Sequence, residues 1–207
     1  QYRLAFHLTL ACVIYAAVVW SAEALAPGRL AAAPRRLRLG AFGLLLLVFL
    51  QLYVGALVAG LDAGLVYNTW PLMDGAWVPA ADKLFFLSPA WRNFFENELT
   101  VQFVHRTVAY ALWLAAVAHA VDAVRTGGEW RTRALALAFA GVVTLQAAIG
   151  IATLLWVVPI GLALLHQGGA LAVLTIAVLH VARLAPQKQG EGAPNLRAGT
   201  QPARSAG

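Results

Sequence analysis

The chain is organised around five long apolar runs separated by polar segments. The runs cover residues 4–25, 39–61, 99–121, 134–158 and 160–184. Each is long enough to supply the roughly 20 apolar residues that a helix needs to cross a bilayer. The first run lacks a preceding basic segment and a clear cleavage site, which argues against a secretory signal peptide. The pattern predicts an all-α fold, a polytopic membrane bundle with five transmembrane helices.

Composition and charge agree with a membrane protein. Of the 207 residues 61% are hydrophobic, against roughly 45–50% in soluble domains. The net charge of +6 is distributed unevenly, because most of the basic residues fall on one side of the predicted spans. These are Arg29, Arg35, Arg36, Arg38, Arg125, Arg131, Arg133, Arg183, Lys188, Arg197 and Arg204. The positive-inside rule places this side in the cytoplasm and the N-terminus of the chain in the periplasm. The basic residues therefore predict contact with membrane lipid and no nucleic-acid partner.

The longest connection between spans, residues 62–98, lies on the outer side and is rich in aromatic residues. It carries Trp70, Trp77, Phe85, Phe86, Trp91, Phe94 and Phe95. These predict either an aromatic belt in the membrane interface or a lid over a hydrophobic ligand. Ser88 and Pro89 predict an N-cap and first-turn proline for a short helix through Asn97. Residues 185–207 are rich in Gly, Pro and Gln and predict a disordered cytoplasmic tail.

Two histidines occupy matching positions in two of the spans. His105 lies seven residues after Glu98, and His166 lies seven residues after Pro159. Each ring is therefore about 10 Å below the outer start of its helix. Facing imidazoles inside a helix bundle suit axial coordination of a haem iron. Zinc would need a third protein ligand from Cys, His or a carboxylate. His7 could supply one, but no carboxylate is predicted at that depth, so the pattern favours iron.

Two polar residues next to His105 extend this candidate site. Arg106 can pair with a haem propionate, or extend to the interface. Gln102 lies one turn from His105 on the same face, where it can line the same cavity.

A second histidine pair leaves another interpretation open. His119 and His180 each follow a histidine of the first pair by 14 residues, which brings them to a similar face about 21 Å further along the helix. That geometry fits a two-haem b-type membrane cytochrome, which carries electrons. However, His119 is close to Asp122 and His180 is close to Arg183. Histidines at such cytoplasmic helix ends are typically solvated or stabilised by the helix dipole.

A weak internal repeat links two other spans. The segment LQLYVG in the second span resembles LQAAIG in the fourth, and each span precedes a histidine-bearing one. The repeat suggests duplication of a helix pair. Gly55 and Gly150 would allow close helix approach. Gln51 and Gln146 are predicted to form interhelical hydrogen bonds or to contact a ligand.

Four segments resemble haem A synthase of the proteobacterial and mitochondrial type. They are YRLAFHLTLA, QLYVGALVAGLDAGLVYNTWPLMDGAWVP, FFENELTVQFVHRTVAY and QAAIGIATLLWVVPIGLALLHQ. The resemblance extends over residues 2–184. It implies an eight-helix membrane protein built from two four-helix halves. Such an enzyme is an oxidoreductase that converts the C8 methyl of haem O to a formyl group, giving haem A for cytochrome oxidase assembly.

The resemblance also implies roles for individual residues. His105 and His166 correspond to the pair that holds one haem b as an electron-transfer cofactor, with Arg106 and Gln102 beside it. His7 corresponds to a ligand of the substrate haem O in the other half. Gln102 stands where that other half carries its catalytic Glu, and an amide cannot shuttle protons. No catalytic residue is therefore assigned to this chain.

The same resemblance divides the chain and suggests its surroundings. Residues 1–26 would be the last helix of the N-terminal half, 27–38 a cytoplasmic loop, and 39–184 the C-terminal haem-binding half. Only roughly the C-terminal three-fifths of a family member is matched, so we expect this chain to be inactive alone. The implied location is the bacterial inner membrane.

The implied partners are haem O, haem O synthase, cytochrome oxidase assembly factors, an unidentified electron acceptor and a second copy in a homo-oligomer. The two-haem cytochrome, a cofactor-free structural membrane protein and a transporter remain the alternatives.

Overall fold

The computed structural model describes residues 1–25, 33–127 and 129–185. The predicted tail beyond residue 185 and residues 27–32 of the predicted cytoplasmic loop lie outside this part. The predicted loop is also too long at its other end, because residues 35–38 already belong to a helix. Seven α-helices occur within it: α1 Tyr2–Leu25, α2 Arg35–Gly60, α3 Ala81–Leu84, α4 Asn93–Glu96, α5 Glu98–Thr126, α6 Trp130–Leu155 and α7 Ile160–Leu184.

Five of these helices, α1, α2, α5, α6 and α7, are long and apolar enough to cross a membrane. This confirms the predicted all-α polytopic bundle. The predicted ends differ by a few residues where polar or strained segments intervene. Helix α5 continues to Thr126 and ends at Gly127, whose φ of 73° is typical of a helix C-cap. Helix α6 stops at Leu155, because Val157 and Val158 turn the chain with φ of 57° and 54°.

Four helices form a ring around the core. Helix α2 packs against α5 and α7, and α6 packs against the same two, so α5 and α7 face each other across the bundle. Helix α1 packs outside the ring against α2 and α7. The core contains Leu44, Leu112, Phe139 and Leu174, and Cys12 of α1 is buried against it. Cys12 therefore has the packing role of a small apolar residue.

Ion pairs hold the helices together at the end opposite the outer loop. The Arg183 Nε lies 2.7 Å from the Glu23 Oε1 and joins α7 to α1. The Arg36 Nη2 lies 2.6 Å from the Asp122 Oδ1 and joins α2 to α5. These contacts fix the relative heights of the helices, and hence the depths of the histidines that they carry.

The outer loop is anchored by a buried asparagine, Asn97, rather than by the predicted cap. Neither the 3₁₀ turn Ala90–Arg92 nor α4 has a side-chain cap, so the prediction that Ser88 caps one helix through Asn97 is wrong. Instead the Asn97 Oδ1 accepts a hydrogen bond from the backbone N–H of Leu99 at 3.0 Å, capping α5. The Asn97 Nδ2 donates to the carbonyl of Lys83 at 2.9 Å. One residue thus begins α5 and fixes the loop above it.

Candidate functional site

The His105 ring lies between α5 and α2. Its Nε2 is 3.3 Å from the Gln51 Nε2, and its Nδ1 is buried without a hydrogen-bond partner. A Cβ atom at Gly55 would lie 3.0 Å from the His105 Cε1. The ring therefore packs tightly against Gly55, where a Cβ would force it to shift, and takes its polar contact from position 51, one helical turn earlier.

The His166 ring lies between α7 and α6 in the same manner. Its Nδ1 is 3.0 Å from the Gln146 Nε2, which also donates to the His166 carbonyl at 2.7 Å. A Cβ atom at Gly150 would lie 2.8 Å from the His166 Cε1. A Cβ atom at Gly169 would collide with the Gln146 Oε1, so this amide is closely confined.

The internal repeat thus corresponds to a recurring contact. In each copy a glutamine and a glycine, one helical turn apart, contact an imidazole from the next membrane-length helix. The repeat extends to the outer turns, because Asp62 and Val157 lie at the same distance beyond the two glutamines and have φ of 53° and 57°. Of the two alternatives from the sequence, the interhelical hydrogen bonds of Gln51 and Gln146 are present.

His105 and His166, with the glutamines and glycines that contact them, form an outer histidine layer. Several polar atoms in and next to this layer are buried without hydrogen-bond partners. They are the His105 Nδ1, Gln51 Oε1, Gln146 Oε1 and Arg106 Nε. Buried polar groups in proteins are nearly always hydrogen-bonded, so such a concentration marks a place suited to a polar or metal-containing ligand. Imidazole nitrogens from facing helices, with glycines under both rings, fit a haem iron and its flat macrocycle.

Arg106 and Gln102 both contact the outer loop. The Arg106 Nη2 donates to the carbonyl of Tyr67 at 3.0 Å and to the Gln102 Oε1 at 3.2 Å. The Gln102 Nε2 donates to the carbonyl of Ala63 at 3.1 Å, and its side chain is buried. These bonds hold the start of the loop over the outer end of α5, directly next to His105.

His7 is not part of the outer histidine layer. It is exposed on α1, on the face opposite the buried Ala5, since two helical residues differ by about 200°. The His7 Nδ1 donates to the carbonyl of Arg3 at 2.9 Å, which leaves the lone pair on Nε2. Within the described ranges no group of three or more His, Cys, Asp and Glu residues is placed to hold a metal ion.

His119 and His180 form an inner histidine layer with different contacts. Their Nε2 atoms are 2.8 Å apart, and their exposed fractions are only 8% and 2%. Of the two alternatives from the sequence, solvation at a helix end is therefore wrong, while stabilisation by the helix dipole stays a prediction. A metal bound by both rings would separate the two nitrogens by about 4 Å, twice a metal–imidazole bond of about 2 Å. The pair is instead one direct hydrogen bond across the bundle.

Together the fold and the two histidine layers define a polytopic membrane helix-bundle protein with two pairs of imidazoles on facing helices. The family model described as cytochrome oxidase assembly protein matches residues 1–178. The chain belongs to this family.

Its relatives agree with this assignment. The chain is 55% identical to the Heme A synthase of Rhodopseudomonas palustris (strain BisA53), over 93% of this chain and 53% of that protein. It is 52% identical to the Heme A synthase of Bradyrhizobium diazoefficiens, over 98% of this chain and 56% of that protein. The chain therefore spans about half the length of these curated relatives.

Proposed function

We propose that this chain is the haem-b-binding part of a haem A synthase in a bacterial inner membrane, with His105 and His166 as the two iron ligands. The observation that carries the proposal is the outer histidine layer, with its two confined rings and its buried polar atoms without partners. The names of the relatives, Heme A synthase, support a role in haem A synthesis. The reaction that we propose is the oxidation of the C8 methyl of haem O to the formyl group of haem A.

Residues next to the ligands have supporting roles in this proposal. A bis-histidine haem supplies a one-electron redox centre with no open position on the iron. Arg106 is a cation next to His105, and its Nε has no hydrogen-bond partner, so it is suited to a carboxylate such as a haem propionate. Gln102 orients Arg106 through their 3.2 Å hydrogen bond. His7 presents a free Nε2 lone pair on the outer face of α1, where we place the substrate haem O.

The catalytic carboxylate is proposed to lie outside this chain, in a half of the enzyme that contains the partner of His7. The His105–His166 site would hold a haem b that supplies one-electron redox chemistry, and the electron acceptor of the enzyme is of unidentified chemistry. Haem O synthase, oxidase assembly factors and a second copy of the enzyme are the proposed protein partners. By itself the 207-residue chain is expected to show no turnover of haem O.

The decisive experiment is the haem content of the purified chain after reconstitution with haem b in detergent. We expect one haem per chain with a low-spin bis-histidine spectrum, which is lost in His105→Ala and in His166→Ala. His119→Ala serves as the matched control and should retain the haem. Failure of the unsubstituted chain to take up haem would contradict the proposal. Two haems per chain, one of them lost in His119→Ala, would favour the two-haem cytochrome instead.

A further inference from the structure

We propose that the two glutamines of the repeat act differently on the haem site: Gln146 is a positioning residue that supports the iron-bound His166, whereas Gln51 occupies the coordinating nitrogen of His105 and must leave it. This inference rests on the proposed haem site. It arises from one asymmetry in an otherwise repeated arrangement, since Gln146 contacts an Nδ1 atom and Gln51 contacts an Nε2 atom.

The contact of Gln146 is at Nδ1 and leaves the opposite ring nitrogen, Nε2, without a glutamine contact. Because the Gln146 Nε2 donates to the His166 carbonyl, it is a donor toward the His166 Nδ1 as well, and the ring proton is on Nε2. An imidazole bound to iron through Nε2 carries its proton on Nδ1 and donates it to a neighbouring acceptor. The Gln146 Oε1 is such an acceptor and is buried without a partner. A turn of the amide would give up both contacts of Nε2, to the His166 Nδ1 and to the His166 carbonyl, and gain the hydrogen bond from the Nδ1 proton to Oε1. The amide must also move away from that carbonyl, which lies 2.7 Å from the present Nε2.

The contact of Gln51 has the opposite consequence. Its amide nitrogen lies 3.3 Å from the His105 Nε2, while the His105 Nδ1 is buried without a partner. Both rings face their glycine with the same edge. At Gly55 and at Gly150 alike, Cε1 and Nδ1 are the ring atoms closest to the position of a Cβ. Equivalent rings are expected to use the same nitrogen, Nε2. Gln51 therefore competes with iron for His105.

Substitutions at Gln146 test the supporting role through the midpoint potential of the bound haem. Gln146→Leu removes the acceptor and makes His166 a weaker donor, so the potential should rise; Gln146→Glu strengthens the acceptor, so it should fall. We expect the ratio of ferric to ferrous haem affinity to change about tenfold in each direction, which is about 59 mV for a one-electron couple. Shifts in the same direction, or no shift, would overturn the inference. If Gln146→Leu retains no haem, Gln146→Glu decides alone.

Gln51→Leu is the matched variant, with the same chemical change in the other half of the repeat. Haem titration should show about fivefold tighter binding, the factor expected from removing one competing hydrogen bond, with an unchanged midpoint potential. A raised potential and weaker binding, as expected for Gln146→Leu, would show that the two glutamines act alike and would refute the asymmetry. If the unsubstituted chain binds no haem, the haem site itself fails, which is a separate outcome.

Discussion

The outer and inner histidine layers lie on the same two helices with the same spacing, yet their contacts differ. In the outer layer each imidazole is bonded to a glutamine of a neighbouring helix. In the inner layer His119 and His180 are bonded to each other. Facing imidazoles are thus a consequence of helix geometry, whereas their chemistry depends on which polar groups the other two helices supply.

The hydrogen-bond balance of the two layers indicates which one is suited to a ligand. The outer layer leaves several buried polar atoms without partners, while in the inner histidine pair only the His180 Nδ1 lacks one. Leaving buried polar atoms unsatisfied costs about 1–3 kcal/mol each, so the outer layer gains far more from binding a polar group. The inner layer is nearly satisfied as it stands and has the character of a structural contact.

The largest expected effect concerns the glycine under a histidine of the outer layer. In Gly150→Ala the new Cβ would lie 2.8 Å from the His166 Cε1, so the ring has to move. Displaced or weakened metal ligands typically cost about 10- to 100-fold in affinity, and we expect such a loss of haem affinity in a titration. Gly168→Ala is the control on the same helix as His166, because its Cβ would meet nothing within 4 Å. Parental affinity in Gly150→Ala would contradict this account of the outer layer.

A smaller effect is expected from breaking the inner layer. His180→Leu leaves the Nε2 of His119 buried without its partner, which should lower the free energy of unfolding by about 2 kcal/mol. Removing both histidines removes the unpaired group as well, so the double substitution to Leu should cost less than the sum of the single ones. Unfolding of the chain in mixed micelles measures this. Additive costs, or loss of the haem, would show that the inner pair is more than a hydrogen bond.

The smallest expected effect lies outside both layers, in the loop above them. Hydrogen bonds from Arg92 and Tyr2 lower the pKa of Glu96 below its ordinary value. Because the folded pKa is depressed, this contribution to stability is present above the ordinary glutamate pKa of about 4.3 and is lost as the pH falls through the lowered value. Trp91 packs against Phe95, so tryptophan fluorescence should report release of the loop in acid.

Glu96→Gln provides the comparison for this pH effect. The variant should lose the acid-dependent change in fluorescence, while Asp82→Asn, which removes a carboxylate elsewhere in the loop, should retain it. An identical acid response in Glu96→Gln would show that another group controls the loop. Neither substitution should alter haem binding, because both carboxylates lie in the loop and outside the two histidine layers.

Much of the architecture could be predicted from residue patterns alone. The apolar runs predicted all five membrane-length helices, because the length of an apolar segment follows directly from the thickness of a bilayer. The 14-residue spacing predicted that His119 and His180 share a depth, because helical periodicity is local. The repeat likewise indicated Gln51 and Gln146 as partners of a neighbouring helix.

Other features depended on contacts between distant parts of the chain. Ser88 had the sequence pattern of a cap, but Asn97 caps α5 instead, because its amide also satisfies carbonyls of the loop. Solvation was one of two predicted environments for His119 and His180, but α5 and α7 bring the two rings together inside the bundle.

The sequence by itself thus determined the five long helices, their approximate lengths and the position of each histidine along its helix, since these follow from local periodicity and hydrophobicity. Only the tertiary structure decided which hydrogen-bond partner each buried polar group found. That choice depends on helix packing and on the positions of Gly40, Gly55 and Gly150, where the absence of a side chain admits an imidazole ring.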